Sequence, residues 1–271
     1  MPVHPVFNRL ALITGEPALD ALRSSRAFVF GLGGVGSWCA EGLSRSGIGS
    51  LVLVDSDVVC LSNVNRQLQA VVSNEGRPKA SELEARIKSI HPFCEVTAVQ
   101  NIYSRENAHL YDIRPGDYVI DAIDSLTFKL DLIEHAVSAG AVLFSSMGAA
   151  AKLDPTRFKV ADIWDTQGCP LARLVRQGLR KRGFDGHFPV VFSSENLPRR
   201  DEITVAETPR DEAPSCESSS GSAPAQSECG ETIDWNLSKK IINGSAVHVT
   251  ATAGMILSGL VVQHAYRRFN P

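Results

Sequence analysis

The chain has 271 residues, enough for one large α/β domain, and its 44% hydrophobic and 21% charged residues are ordinary for a globular protein. Its formal net charge of −3 is unevenly distributed, because the segment 195–231 carries nine acidic residues and three arginines and so contributes −6. The rest of the chain has a net charge of +3, so the overall charge does not exclude a nucleic-acid partner.

The cysteines and the first residues indicate the cellular setting. The chain has no Cys-x-x-Cys pair, which argues against a tetrathiolate zinc site and a dense disulfide framework; its six cysteines are Cys39, Cys60, Cys94, Cys169, Cys216 and Cys229. Residues 1–9 lack the basic and apolar regions of a secretory signal. We therefore expect a reducing, cytoplasmic setting.

Strands and helices alternate in the first half of the chain. The predicted helices are 18–26, 36–46, 79–90, 104–110 and 128–139, and the predicted strands are 27–30, 51–54, 95–99, 118–120 and 141–145. This alternation predicts an α/β fold with a mostly parallel sheet and helices on both faces.

The second half has a different pattern. It predicts strands at 158–163 and 189–193, a basic helix at 170–182 and a last helix within 245–268. The segment 198–230 is rich in Pro, Ser, Glu and Gly and has few large apolar residues, so we predict a disordered insertion there.

The apolar stretch 245–262 approaches the length of a membrane span. However, it contains polar side chains among small residues, including His248, Thr250, Thr252 and Ser258. We therefore favour a buried or subunit-packing helix and expect no membrane association.

A glycine-rich turn, Gly31-Leu32-Gly33-Gly34-Val35-Gly36, lies between the first strand and its helix, and Asp55 follows nineteen residues after Gly36. The glycines allow the backbone to approach a nucleotide, the helix N-terminus favours phosphates, and the acid can hold ribose hydroxyls. This pattern predicts a Rossmann-like nucleotide site, although an NAD-dependent enzyme would show nearly the same signal.

The residues after the second strand favour ATP over NAD. Asp57, Asn63, Arg66 and Gln67 are followed by Lys79 at the start of a helix. Reaction at the α-phosphorus of ATP needs several cations, because charge develops on the phosphate oxygens and on the departing pyrophosphate. Without the glycine turn, Arg66 and Lys79 would be equally compatible with a solvated surface pair.

The fourth predicted strand ends in Asp121-Ala122-Ile123-Asp124-Ser125. Ligands bind at the carboxyl ends of parallel strands, and a carboxylate there can hold Mg²⁺ between phosphates. Asp124 or Ser125 is also a candidate helix N-cap, and the two roles are compatible.

Taken together, these motifs resemble the ubiquitin-activating-enzyme-like superfamily, which includes the adenylyltransferases of molybdopterin and thiamine synthesis. The resemblance covers roughly residues 9–150 and implies that Asp55 holds the ribose, Asp124 carries Mg²⁺, and Arg9 reaches into the partner's ATP site in a homodimer. We expect Arg66, Lys79, Asp124 and Arg9 to act in catalysis. The ATP contacts implied are Gly31, Gly33, Gly34, Gly36, Asp55, Asp57, Asn63, Arg66, Gln67, Lys79, Asp121 and Ser125.

Several short sequence motifs, most of them in the second half of the chain, resemble those of the family of bacterial tRNA threonylcarbamoyladenosine dehydratases. They are Gly47-Ile48-Gly49, Val160-Ala161-Asp162-Ile163, Cys169-Pro170-Leu171-Ala172-Arg173 and Val191-Phe192-Ser193-Ser194-Glu195. The resemblance implies that ATP activates the free carboxylate of the modified adenosine, whose carbamoyl group then closes a ring and releases AMP. Two departures are the missing zinc-binding cysteine pairs of the molybdopterin and thiamine enzymes, and the absence of cysteine from 239–245.

The predicted basic helix carries the candidate tRNA contacts, which are Arg173, Arg176, Arg180, Lys181 and Arg182. Such a row of cations gives salt-dependent phosphate binding, although a solvated charged helix has the same pattern. Cys169, at the start of this helix, is either a packing residue or an acyl acceptor of the kind used by enzymes that load ubiquitin-like proteins.

These patterns predict an ATP-binding adenylation region at 1–150 and, within the same domain, a C-terminal part at 151–197 and 231–271. Three other functions remain open: activation of a ubiquitin-like sulfur carrier, an NAD(P)-dependent oxidoreductase and a non-catalytic nucleotide-binding scaffold. The expected partners are tRNA and a second copy of the chain, and a sulfur-transfer protein is a further candidate.

Overall fold

A seven-stranded sheet forms the centre of the structure, a computed structural model that describes residues 4–197 and 244–270. The strands are β1 (Arg26–Phe30), β2 (Ser50–Val54), β3 (Glu95–Val99), β4 (Tyr118–Asp121), β5 (Val142–Ser146), β6 (Phe158–Asp162) and β7 (Pro189–Ser193). Their order is β3-β2-β1-β4-β5-β7-β6, and only the β6–β7 pair is antiparallel. The predicted mostly parallel α/β fold is confirmed.

Helices cover both faces of this sheet. They are α1 (Asn8–Thr14), α2 (Glu16–Arg23), α3 (Gly36–Arg45), α4 (Lys79–Ile90), α5 (Leu126–Ser138), α6 (Pro170–Lys181) and α7 (Val247–Arg267). Alternate residues of a strand point to opposite faces, so Val29 packs in a core with α3, α4 and α7, whereas Phe30 packs in a second core with α5 and α6.

Most predicted elements agree with the observed ones to within two residues at each end. The helix predicted at 104–110 is wrong, because only the 3₁₀ turn Ala108–Leu110 forms there. The Asn107 side chain accepts from the Ser104 backbone amide and donates to the Ile102 carbonyl, and such local bonds compete with a helix. The sequence reasoning also missed α1, a short helix on which Leu12 and Ile13 are exposed.

The predicted disordered insertion at 198–230, together with Cys216 and Cys229, lies outside the described residues. The division into 1–150, 151–197 and 231–271 stays a prediction.

Helix α7 is the packing helix that the sequence favoured. Val249, Ala253, Leu257 and Val261 repeat along its buried face, which lies against α3. None of the helices that the structure describes, α7 included, has the length and apolar character of a membrane span.

The α3–α7 contact depends on close backbone approach. A Cβ atom built on Gly254 would overlap the Val35 carbonyl oxygen and lie 2.9 Å from the Cys39 amide nitrogen. In the same helix, a Cβ atom on Gly259 would meet no heavy atom within 4 Å. Gly254 therefore sets the separation of these two helices.

We predict opposite effects for the same substitution at these two glycines. Gly254→Ala should lower the free energy of unfolding by about 1–3 kcal/mol, because the added methyl group forces α7 away from α3. Gly259→Ala should raise it by roughly 0.5–1 kcal/mol, because alanine is the better helix former. Chemical denaturation of both variants measures the difference, and equal effects would contradict the proposed helix contact.

Candidate active site

A crevice is expected where the connections of the sheet diverge. β1 pairs with β4 in parallel, so Phe30 and Asp121 lie side by side at the carboxyl edge. The chain leaves β1 for α3 in one core and leaves β4 for α5 in the other. Open α/β sheets bind ligands at such a switch point. The glycine turn 31–36 and the 122–125 turn flank it.

The glycines of this turn have different structural requirements. Gly31 has φ +87°, and a Cβ atom there would lie 2.6 Å from the Ala122 carbonyl oxygen. A Cβ atom on Gly36 would overlap the Gly31 carbonyl oxygen, and one on Gly34 would lie 3.0 Å from Thr250 of α7. Gly33 differs, because a Cβ atom there meets no protein atom within 4 Å. Gly33 therefore leaves open space that a nucleotide phosphate can approach.

Asp55 braces the glycine turn from the end of β2. Its Oδ2 atom accepts from the Leu32 amide at 2.6 Å, and its Oδ1 atom accepts from the Asp57 amide at 2.9 Å. Burial raises the pKa of Asp55 above its usual value, against the opposing effect of the Lys79 ammonium group. The structure thus places the predicted ribose ligand beside the predicted phosphate loop.

Lys79 is the first residue of α4 and is only 5% exposed. Its Nζ atom lies 2.7 Å from Oδ2 of Asp57, whose side chain is about half exposed, at 52%. A buried cation whose partner faces solvent can exchange that partner for a phosphate oxygen without a new desolvation cost. The structure therefore brings Asp55, Asp57 and Lys79 together.

Asn63, Arg66 and Gln67 lie in the loop between β2 and α4. Asn63 is buried and accepts from the Cys60 amide, while Arg66 is partly exposed and donates to the Ser62 carbonyl at 2.7 Å. Within the described residues, the buried amide oxygen of Gln67 has no hydrogen-bond partner. A buried polar atom without a partner suits a site that a polar ligand completes.

The structure corrects the prediction that Asp121 contacts the nucleotide. Its side chain is fully buried, and its Oδ2 atom lies 2.7 Å from Nζ of Lys129 and 2.6 Å from the Ser145 hydroxyl. These internal partners place Asp121 behind the crevice. Asp124, by contrast, is exposed, and Ser125 takes the N-cap position of α5 without a side-chain cap bond.

Two residues near the site were missed by the sequence reasoning. Gln69 is buried and donates to the Leu32 carbonyl of the glycine turn at 2.9 Å. Lys129 lies next to Leu130 in α5, and both side chains are buried. Lys129 could have been noticed from the sequence, because a lysine on the apolar face of a predicted helix indicates a buried charge. The sequence around Gln69 has no comparable signal.

Comparison with known proteins identifies the family to which this fold and crevice belong. The ThiF family model matches residues 7–270, nearly the whole chain. The chain belongs to the ThiF family.

Within the ThiF family, the proteins similar to this chain include several named tRNA threonylcarbamoyladenosine dehydratase. The tRNA threonylcarbamoyladenosine dehydratase of Bacillus subtilis is 45% identical over 190 residues, covering 70% of this chain and 75% of the relative. The Escherichia coli protein of the same name is 34% identical over 266 residues, covering 97% of this chain and 92% of the relative. A crystal structure of the E. coli enzyme TcdA in complex with ATP has a TM-score of 0.76 at 31% identity, covering 97% of this chain and 94% of that chain.

The five cations predicted to contact tRNA differ in their surroundings: three have partners within the protein, and two are exposed on α6. Arg176 donates to the Thr166 carbonyl, Arg180 lies over the Trp164 ring, and Arg182 pairs with Asp131 and Glu134. Arg173 and Lys181 are exposed on α6. Three of the five cations, Arg176, Arg180 and Arg182, therefore have partners within the protein. A solvated helix face would not need such partners.

Two further predicted residues of the ThiF-family chain lie apart from this helix face. Cys169 is buried at the N-cap position of α6. Arg9 is exposed on α1.

The open space at Gly33 leads to a prediction about ATP affinity. Gly33→Ala should leave thermal stability near the wild-type value, because the added methyl group meets no protein atom. It should weaken ATP binding about tenfold, or ~1.4 kcal/mol, because the methyl group occupies the space that a phosphate needs. Calorimetric titration with ATP measures this, with Gly259→Ala as the matched control. Unchanged ATP affinity would mean that the nucleotide does not approach Gly33.

Proposed function

We propose that the chain is an ATP-dependent dehydratase that adenylates the carboxylate of N6-threonylcarbamoyladenosine in tRNA and cyclises it with release of AMP. The observation that carries this proposal is the match of 97% of the chain to the E. coli enzyme of that name. The crevice supports this proposal, because its glycine turn and the buried cation of Lys79 both suit the phosphates of a nucleoside triphosphate.

The reaction has two steps. The free carboxylate of the modified base attacks the α-phosphorus of ATP, so that an acyl-adenylate forms and pyrophosphate leaves. The carbamoyl group next to the activated carbonyl then attacks it, which closes the ring, loses a proton and expels AMP. Ring closure is intramolecular, so proximity lowers its barrier and no protein nucleophile is needed. Buried Cys169 then serves packing.

The residues of the crevice have separate roles in this reaction. The glycine turn holds the phosphates, Asp55 holds the ribose, and Asp57 orients Lys79. Lys79 and Arg66 stabilise the charge that develops on the phosphate oxygens as pyrophosphate leaves. The amides of Asn63 and Gln67 supply further phosphate contacts.

Magnesium is part of the proposal, with Asp124 as its protein ligand. In residues 4–197 and 244–270, no group of three His, Cys, Asp or Glu side chains could hold a metal ion. Mg²⁺ commonly binds through one or two carboxylates, substrate phosphates and water, which fits the exposed Asp124. When bound, the ion neutralises charge on the phosphates and withdraws electron density from phosphorus.

A homodimer in the cytoplasm completes the proposal. Exposed Arg9 would enter the ATP site of the second copy. A sulfur-transfer protein remains a candidate partner.

Nucleoside analysis tests the proposed function most directly. Incubation of threonylcarbamoyladenosine-modified tRNA with the protein, ATP and Mg²⁺ should give the cyclised nucleoside and an equal amount of AMP. The same tRNA without the threonylcarbamoyl group should give neither.

AMP formation that instead requires a protein with a C-terminal di-glycine would overturn the tRNA assignment and support activation of a sulfur carrier. Nicotinamide binding without ATP binding would indicate an oxidoreductase, and ATP binding without turnover a scaffold.

Arg66→Ala and Asp124→Ala test the adenylation step. Each should reduce tRNA-dependent AMP formation by about 100- to 1000-fold, because each removes charge that stabilises the transition state. Thermal stability should stay near wild type, since Asp124 is exposed and Arg66 partly so. Arg114→Ala, which removes an exposed arginine paired with Asp112, is the control. Near-normal turnover in either variant would disprove the role assigned to that residue.

Arg173→Ala and Lys181→Ala test the tRNA surface. Each should weaken tRNA binding and lower the slope of log affinity against log salt by about 1, because one phosphate contact is lost. Fluorescence anisotropy with labelled tRNA at several salt concentrations measures both quantities, and Arg114→Ala again serves as control. An unchanged salt slope would mean that α6 is a solvated helix.

A further inference from the structure

A buried ion pair lies behind the crevice, between Asp121 at the end of β4 and Lys129 in α5. Both side chains are 0% exposed, and Nζ of Lys129 lies 2.7 Å from Oδ2 of Asp121. The ammonium group also donates to the Ser146 carbonyl at 3.0 Å, and the carboxylate also accepts from the Ser145 hydroxyl at 2.6 Å. The pair therefore joins β4, β5 and α5 at the carboxyl edge of the sheet.

The same carboxylate controls the turn that follows β4. Oδ1 of Asp121 accepts from the Ile123 amide at 3.1 Å. The Ala122 amide donates to the Phe30 carbonyl at 2.9 Å, and the Ala122 carbonyl faces Gly31 without room for a side chain. The backbone of residues 122 and 123 is thus held against both β1 and the glycine turn. Asp124 follows directly.

Stability alone is a weak reason for such a pair. Burying two charges has a large desolvation cost, and apolar residues of similar volume often stabilise a fold equally well or better. This pair has a second effect: Asp121, held by Lys129 and Ser145, also accepts from the Ile123 amide and so fixes the direction in which the turn leaves the sheet. Outer-shell hydrogen bonds of this kind orient metal ligands.

We propose that the Asp121–Lys129 pair is a positioning device, which holds the 122–125 turn so that the Asp124 carboxylate meets the magnesium ion bound to ATP. The inference rests on the proposed ATP-dependent function of the crevice. Asp121 and Lys129 are positioning residues and not catalytic residues, because full burial keeps both side chains from the substrate.

A charge-free double variant, Asp121→Asn with Lys129→Met, tests the device. It leaves no unpaired buried charge, methionine resembles the lysine stem in length, and asparagine keeps an acceptor for the Ile123 amide. We expect a folded protein with a melting temperature near wild type. Its ATP affinity in EDTA should be within about twofold of wild type, whereas the gain in affinity that excess Mg²⁺ gives should fall about tenfold.

The binding measurements need no tRNA and are made by calorimetry. The Mg²⁺ concentration for half-maximal AMP formation is a second readout and should rise about tenfold. Ser145→Ala removes one hydrogen bond to Asp121 and keeps both charges, so a smaller shift in the same direction is expected. This single variant decides the question if the double variant does not fold.

The matched control is Arg26→Met with Asp117→Asn. Arg26 in β1 and Asp117 before β4 form an ion pair of 2.6 Å at the opposite edge of the same strands. This variant should change stability and leave the magnesium dependence of ATP binding unchanged.

Wild-type magnesium dependence in a folded Asp121→Asn, Lys129→Met variant would overturn the inference, as would the same loss in the control. If the wild-type protein binds ATP with Mg²⁺ but leaves modified tRNA unchanged, the proposed substrate is wrong while the positioning role remains measurable. If it does not bind ATP, both proposals fail.

Discussion

The carboxyl ends of β1 and β4 meet with no room for a side chain between Gly31 and the Ala122 carbonyl. This contact determines the rest of the site. It turns the chain after β1 into the glycine turn, whose Leu32 amide then points to Asp55. It also places the 122–125 turn opposite that loop. The crevice is therefore a consequence of backbone packing, and a nucleotide site follows from it because backbone amides and helix N-termini suit phosphates.

Two lysine–aspartate pairs with the same 2.7 Å separation have different roles here. Asp57 is half exposed, so an anion can take its place beside the buried ammonium group of Lys79. Asp121 is fully enclosed with Lys129, so neither charge is accessible. The same residue types thus form the proposed phosphate-binding cation in one place and a fully enclosed ion pair in the other, and burial of the acid makes the difference.

The sequence predicted the sheet and the neighbourhood of the crevice well, because both leave short-range signals. The alternation of strands and helices and the spacing from Gly31 to Asp55 and Lys79 are readable within about 50 residues of chain. The Asp121–Lys129 pair was not predicted, because burial of a lysine depends on the whole core and not on local pattern. The partners of Arg176 and Arg182 were also missed, because these contacts form only when α6 packs against the Ile163–Asp165 turn and against α5.

The packing of α7 against α3 has a consequence for how the protein is made. Helix α3 (Gly36–Arg45) begins at the glycine turn, and its partner α7 (Val247–Arg267) comes much later in the chain. During synthesis, the side of α3 that packs on α7 therefore stays uncovered until residues 247–267 have left the ribosome. Chaperones could bind that surface in the interval, and a nascent chain that stops before residue 247 would lack the cover for it.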